Sequence, residues 1–342
     1  MRATERACYT RGLQPFVPLF RNPHLATLAG NFWPRPLDEC RFPTRHTLYP
    51  TAPDTGILVE ENRPEGEPRG EVLLLHGLEG SSRSGYLISL AQRLLESGFA
   101  VHRMNLRGCG LSEPHSPTLY HSGLTHDARW VLAEWRRQGR GPRFLAGFSL
   151  GGNVALKLAG ELGAEAAELI EAVCAVSTPI DLYACVRRID AASNWIYHQK
   201  FVRSLRRRYQ RRHRMDPEKF PDRGVAAIRT IFDFDDRITA PFFGFGDAPN
   251  YYATQSALRF VGGIRIPALL ITAEDDPMVP FELYRREEVR SNPWLRLLAV
   301  PHGGHLGFLA RGPRRFWLDE AVCSWLEAFR NKSASASVST QG

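Results

Sequence analysis

The chain has 342 residues, 43% of them hydrophobic and 23% charged, with a formal net charge of +8. That composition belongs to a soluble globular protein with room for one broad core and an inserted unit, and it excludes disorder throughout. No run approaches the uninterrupted apolar length of a bilayer span, and no apolar segment follows the early arginines before Pro15 and Pro18, so a cytoplasmic protein is expected.

Six cysteines (Cys8, Cys40, Cys109, Cys174, Cys185, Cys323) lack C-x-x-C spacing. They point to reduced, mostly packed thiols rather than a zinc site or a disulfide framework. The positive charge is local. Residues 187–214 hold ten Lys/Arg and one acid, Asp190, so the remainder of the chain is close to neutral. The stretch FVRSLRRRYQRRHR (201–214) is either a solvated helix face or a surface for anionic lipid or acidic substrates, through Arg206, Arg207, Arg208, Arg211 and Arg212. Tyr209 alone among these arginines is a poor stacking platform, so no nucleic acid is expected.

From residue 71, short apolar runs alternate with helical patterns, the sign of a mainly parallel sheet with helices on both faces. EVLLLHG (71–77) reads as a buried strand. SGYLISLAQRLLESG (84–98) follows as a helix with a stripe at Leu87, Leu90, Ala91, Leu94 and Leu95, closed by Gly98. AVHRMNLRG (100–108) is the next strand, and a helix beginning at Thr125 or Asp127 runs through Trp135. RFLAGFS (143–149) is again a strand, GGNVALKLAGEL (151–162) a helix, and EAVCAVS (171–177) a further strand.

The rhythm then breaks over 180–264, which is helical, arginine-rich and aromatic. An insertion of that length is expected to be a cap with its own elements. PALLIT (267–272) and LRLLAVP (295–301) resume the sheet, and PRRFWLDEAVCSWLEAF (313–329) is a last amphipathic helix. The expected division is a core over 1–179 that includes an N-terminal extension, the cap over 180–264, a second core segment over 265–330, and a disordered Ser/Ala-rich tail over 331–342.

Residues 147–151, GFSLG, spell G-x-S-x-G between a predicted strand and a predicted helix. That context is the one in which the motif presents a nucleophilic serine on a sharp turn. Glu274, Asp275 and Asp276 follow one late strand and His302 and His305 the next, so the order serine, acid, histidine falls at strand ends that a parallel sheet brings to one edge. Asp276 and His305 are singled out because DPMVP (276–280) and GGHLGF (303–308) resemble the segments around the acid and the histidine in many α/β-hydrolases. Asp275 is the alternative acid, and His302 is expected to be a loop histidine bonded to backbone. The roles follow from acyl transfer: Ser149 attacks, His305 takes and returns its proton, and Asp276 orients the imidazole. Backbone N–H groups of Leu78 and Leu150 are the expected oxyanion donors.

Blander readings hold for other residues. His76 is expected to pack and hydrogen-bond beside the oxyanion loop, Asp127 to open a helix rather than form a second site with His121 and His126, and Cys109 to be a packed turn thiol. No H-E-x-x-H cluster suggests a metal, no G-x-G-x-x-G suggests a dinucleotide, and no H-x4-D spacing occurs.

The chain resembles the α/β-hydrolase superfamily, and within it the YheT-like bacterial hydrolases and their eukaryotic phospholipase-type relatives. The resemblance is carried by FVPLFRNPHLATL (16–28), HGLEGSSRSGY (76–86), NLRGCGLSE (105–113), YHSGLTHDARW (120–130), GFSLGGN (147–153), FDFDDRITAPFFGFGDAPNYY (232–252) and the segments around Asp276 and His305. It implies an α/β-hydrolase fold with a helical cap and a carboxylic-ester hydrolase, carboxylesterase or lipase-like, using neither metal nor organic cofactor. The expected partner is a small-molecule ester with an apolar acyl chain, in a pocket walled by Trp195, Tyr197, Phe201, Phe232, Phe234, Phe242, Phe243, Tyr251 and Tyr252. The competing functions are a thioesterase, or a catalytically weak protein that binds anionic lipid or another partner through the arginine-rich cap.

Overall fold

The structure, a computed structural model, describes residues 13–336. Helix α1 (Pro23–Phe32), capped by the Asn22 side chain, precedes a hairpin of β1 (Arg45–Ala52) and β2 (Thr55–Asn62). The alternation anticipated from residue 71 then follows as β3 (Glu71–Leu75), α2 (Gly85–Glu96), β4 (Ala100–Met104), α3 (His126–Arg137), β5 (Arg143–Phe148), α4 (Leu150–Leu162) and β6 (Ala172–Val176). The inserted segment supplies α5 (Leu182–Ile189), α6 (Trp195–Met215) and α7 (Ala248–Gln255), among shorter turns. The chain returns to the sheet with β7 (Ala268–Ala273) and β8 (Leu295–Val300) and ends in α8 (Trp317–Ala336).

The eight strands form one sheet in the order β1-β2-β4-β3-β5-β6-β7-β8. The hairpin is antiparallel and β2 joins β4 antiparallel, while every pairing from β4 to β8 is parallel. Because both faces are covered, β3, β5, β6 and β7 are apolar at nearly every position, with successive residues assigned to opposite layers. Leu73 and Leu75 pack with Trp135 of α3 and Val154 of α4, whereas Val72 and Leu74 pack with Leu90 of α2 and Trp325 of α8. A third cluster, with Leu182, Val202, Tyr209, Ile228, Phe234 and Tyr251, is the inserted segment's own core.

The hairpin was not anticipated. Pro50 lies in β1, a position open to proline because β1 is an edge strand. β2 carries Glu60 and Glu61, a residue type that is mostly exposed in folded proteins, yet both are buried, against Arg103 and Arg63. The C-terminal helix also differs from expectation: residues 331–336, assigned to the tail, continue α8. Residues 337–342 and 1–12, the latter including Cys8, lie outside the described residues. Among the described residues, no helix is long and apolar enough to cross a membrane, Cys40 is exposed, and the other four cysteines are buried and free.

Asp319 of α8 is buried, with Arg35 its main compensating charge, and burial pushes its carboxyl up to about 7. Between the ordinary carboxylate range and about 7, the folded state therefore holds a proton that the unfolded chain has released. Stability should fall as pH rises through that window. Urea titrations across it are expected to show Asp319→Asn, an isostere of the protonated acid, losing less stability with rising pH than the wild type.

Candidate active site

β5 and α4 meet almost backbone to backbone. A Cβ on Gly147 would stand 2.1 Å from the Gly151 carbonyl oxygen, and one on Gly151 would stand 2.4 Å from that of Leu75. No other residue type fits at either place, so both glycines of the motif have a steric cause. The reversal between them falls on Ser149, which adopts φ 52° and ψ −121°, a conformation that L residues rarely hold. Its N–H donates to Val176 O at 2.8 Å, and its carbonyl accepts from Gly152 N–H at 2.8 Å. The hydroxyl stands at the first turn of α4, where unpaired N–H groups and the positive end of the helix dipole converge.

A three-residue relay starts there. Ser149 Oγ donates to His305 Nε2 at 3.0 Å, and His305 Nδ1 donates to Asp276 Oδ2 at 2.9 Å. Asp276 is 4% exposed, and its other oxygen accepts from the N–H groups of Met278 and Val279 at 2.8 and 3.1 Å. The three side chains named from the sequence thus meet, each at the C-terminal end of a parallel strand. Asp275 points elsewhere, accepting from His302 Nδ1 at 3.1 Å and from Gly304 N–H at 2.9 Å. His302 is thus held by a carboxylate, not by the backbone partner expected. Thr27 went unassigned in the sequence. Its hydroxyl, donating to Pro23 O, also accepts from His305 N–H at 2.9 Å, so α1 steadies the histidine turn.

Leu78, in the turn after β3, and Leu150 both line the cavity beside Ser149 and His305. The turn is fixed from several sides. Gly77 N–H donates to Tyr86 OH at 2.9 Å. His76 is fully buried, its Nδ1 donating to Gly77 O at 2.8 Å and its Nε2 accepting from Leu106 N–H at 3.1 Å, and burial pushes it down to about 4. It is a neutral structural imidazole, as expected.

Glu79 follows Leu78 with φ 57°, an outlier for a residue with a side chain. Its carboxylate accepts from Arg208 Nη2 at 2.9 Å and Ser204 Oγ at 2.5 Å, both on α6, while its N–H donates to Tyr120 OH at 3.1 Å. The Arg208 guanidinium lies over the Tyr120 ring, 4.8 Å from its centroid. This corrects the picture of a uniformly solvated arginine face. Arg208 is 9% and Arg212 4% exposed, and Arg212 donates to Glu113 O at 3.1 Å. Arg211 is exposed and paired with Glu113 at 2.6 Å. Cys109, buried beside Arg208, is pushed up to about 11 by burial and is a packed thiol.

No second acid–base site forms around residue 121. Asp127 is buried, bound to Arg107 and accepting from Thr51 Oγ1 at 2.7 Å. His121 packs on Phe243, and burial, with Lys157 and Arg107 nearby, pushes it down to about 3.

Two cavities meet at the relay. The inner one is largely apolar, walled by Leu182, Val186, Ile189, Leu205 and Ile231 together with Phe201, Phe234, Tyr251 and Tyr252. Its polar points are few: Asp235, pushed up to about 6 by burial, accepts from Thr239 Oγ1 and Tyr252 OH, each at 2.7 Å. Of the other aromatics expected in its wall, Trp195 is 60% exposed, Tyr197 lines the outer cavity, and Phe232, Phe242 and Phe243 pack in the inserted segment. The outer cavity is the more polar, bounded by α1, the Gly77–Gly80 turn and the start of α6, with Asn31, Ser84, Lys200 and Ser204 in its wall. Leu78, Phe201, Met278, Ser149 and His305 belong to both. Among the described residues, no group of His, Cys, Asp and Glu could hold a metal ion.

A family model described as alpha/beta hydrolase fold matches residues 71–311. The chain is 30% identical over 322 residues to the putative esterase YheT of Escherichia coli (strain K12), an alignment spanning 92% of this chain and 93% of that one. It is 31% identical over 298 residues to a monoacylglycerol lipase of Saccharomyces cerevisiae, spanning 84% of this chain and 64% of the other. Among solved structures, an esterase of Pyrococcus furiosus superposes with a TM-score of 0.57 over 86% of this chain and 98% of its own, at 17% identity, a likeness of fold. The chain belongs to the α/β-hydrolase family, on the side of the YheT-type proteins.

The contact at the elbow sets one measurable outcome. Gly151→Ala forces a methyl group into the Leu75 carbonyl and is expected to cost about 3 kcal/mol or more in urea unfolding, beyond the effect of a typical substitution.

Proposed function

We propose that this α/β-hydrolase is a serine hydrolase that cleaves carboxylic esters bearing an apolar acyl chain, through an acyl-Ser149 intermediate. The observation that carries this reading is the continuous hydrogen-bonded relay from Asp276 through His305 to Ser149, set where an apolar cavity meets a polar one. An unassisted serine hydroxyl is a weak nucleophile at neutral pH. His305 Nε2, already accepting from Oγ, removes that proton as Oγ attacks the ester carbonyl. Asp276, its free oxygen held by two backbone N–H groups, keeps the Nδ1–H tautomer and stabilises the imidazolium. Collapse of the tetrahedral intermediate sends the proton to the departing alcohol and leaves the acyl group on Ser149. Water activated by the same histidine then releases the acid.

The negative oxygen of each intermediate is assigned to the N–H groups of Leu150, at the start of α4, and Leu78. Donors of this kind are worth about 2.7–4 kcal/mol apiece. The inner cavity takes the acyl chain and the outer one the alcohol. The words esterase and monoacylglycerol lipase in the names of the two relatives accord with this assignment.

A fluorophosphonate probe is expected to label the wild type and not Ser149→Ala. p-Nitrophenyl esters of increasing chain length should show an optimum set by the inner cavity. Asp276→Asn should lower kcat about 10⁴-fold through the wrong histidine tautomer. A folded wild type that neither labels nor turns over any ester would sink the proposal.

The brace on the Leu78 turn generates a separate expectation. Glu79→Gln weakens the pull of Arg208 on the residue next to the oxyanion donor. Because small misplacements of catalytic groups are costly, kcat should drop roughly 10- to 100-fold. KM for a short ester should hardly move, since neither cavity loses an apolar wall. Circular dichroism on the same sample separates this from unfolding.

A further inference from the structure

Four of the most exposed large apolar side chains gather on one side of the molecule. Phe32 is 75% exposed, Trp195 60%, Ile196 59% and Leu25 54%. Leu25 and Phe32 are about two turns apart on one face of α1, and Trp195 and Ile196 open α6. The two helices touch where the His24 ring stacks on Tyr197, centroids 5.7 Å apart, with His24 Nδ1 3.2 Å from Tyr197 OH. Phe32 and Ile196 also line the outer cavity, together with Ser149 and His305, so the apolar group rims the opening that leads to the relay.

The same side is basic. A shallow groove along α6 runs from Trp195 and Ile196 past Lys200 and Arg203 to Arg207. The last three are exposed, and among the described residues none forms an ion pair, whereas Arg208 and Arg211 of the same helix are paired to glutamates. Neither α1 nor α6 contains an acidic residue. Apolar side chains flanked along α6 by unpaired cations form a surface with an apolar layer to enter and anions to meet.

We propose that this rim docks on an anionic lipid bilayer. Leu25, Phe32, Trp195 and Ile196 enter the boundary between headgroups and acyl chains, and Arg203 and Arg207 lie against the headgroup charges. A protein partner seated here would close the outer cavity, whereas a bilayer turns that opening toward a store of apolar esters. The docking surface is thus shifted from the one named in the sequence: Arg207 remains, Arg208 and Arg212 face inward, Arg211 is paired with Glu113, and the apolar rim with Lys200 and Arg203 is added. The inference deepens the ester-hydrolase reading and rests on it for the purpose of docking, not for the docking itself.

Ser149→Ala protein, which binds without turnover, is sedimented with phosphatidylcholine vesicles with and without phosphatidylglycerol. Selective binding to the anionic vesicles, weakening as salt rises, is expected. Arg203→Gln with Arg207→Gln should reduce that binding about tenfold or more at low salt. Leu25→Ser with Trp195→Ser should abolish it at every salt concentration. With Ser149 intact, both pairs should still hydrolyse a soluble short-chain ester at the wild-type rate, which excludes misfolding as the cause. Four outcomes overturn the proposal: no binding to either vesicle, binding indifferent to both pairs, concentration-dependent self-association that buries the rim, or retention on RNA in preference to vesicles. Vesicle binding without fluorophosphonate labelling would instead sink the hydrolase reading and leave the docking surface standing.

Discussion

The rest of the site depends on how closely α4 approaches the sheet, where Gly147 of β5 meets the Gly151 carbonyl and Gly151 meets the Leu75 carbonyl of β3, leaving no space for a side chain at either glycine. Strand and helix are so near that the chain must reverse at a single residue, and Ser149 carries the unfavourable backbone angles that result. Such strain persists only where the surroundings hold it. Here the holders are the parallel neighbours β3 and β6, whose buried apolar faces fix the position of β5 from both sides. The other parts of the site are placed by the same sheet: the Leu78 turn after β3, Asp276 after β7, and His305 after β8. A parallel sheet ends all its strands at one edge, so residues distant in sequence arrive together without a dedicated scaffold.

Much of this was legible because buried parallel strands leave a plain signal. EVLLL, RFLAGF and ALLITA are apolar at nearly every position since both faces are covered, and α2 and α3 show one-sided stripes. Ser149 and Asp276 were readable for the related reason that they come directly and three residues after such strands, while His305 comes five residues after the more exposed edge strand β8. The β1–β2 hairpin left no comparable trace. It lies at the sheet edge, tolerates a proline, and buries two glutamates, of which Glu60 faces Arg103 of β4, some forty residues on, and Glu61 pairs with Arg63 just past the strand end. Periodicity registers hydrophobic burial and is blind to burial of paired charge.

The same blindness accounts for α6. Its arginines are alike in sequence, yet the helix sorts them by face into Arg208 and Arg212, which turn inward, and Arg203 and Arg207, which stay in solvent. A buried arginine needs a fixed partner, and that of Arg208 is Glu79, which comes from a turn more than a hundred residues earlier. No local pattern carries that information. His302 and Thr27 are similar cases, since the first is decided by Asp275 and the second by the backbone of His305.

The Glu79–Arg208 pair joins the inserted segment to the turn beside Ser149, and it does so where water is largely excluded. Swinging α6 outward would strand a carboxylate and a guanidinium in a poorly solvated place, or drag the turn along with the helix. The position of the cap and the order of the turn are therefore two aspects of one equilibrium. Thermodynamic reciprocity then applies: whatever presses α6 onto the core steadies the turn, and an occupant that steadies the turn tightens the hold on α6 by the same free energy. A molecule filling the inner cavity can thus influence the outer face of the protein without reaching it.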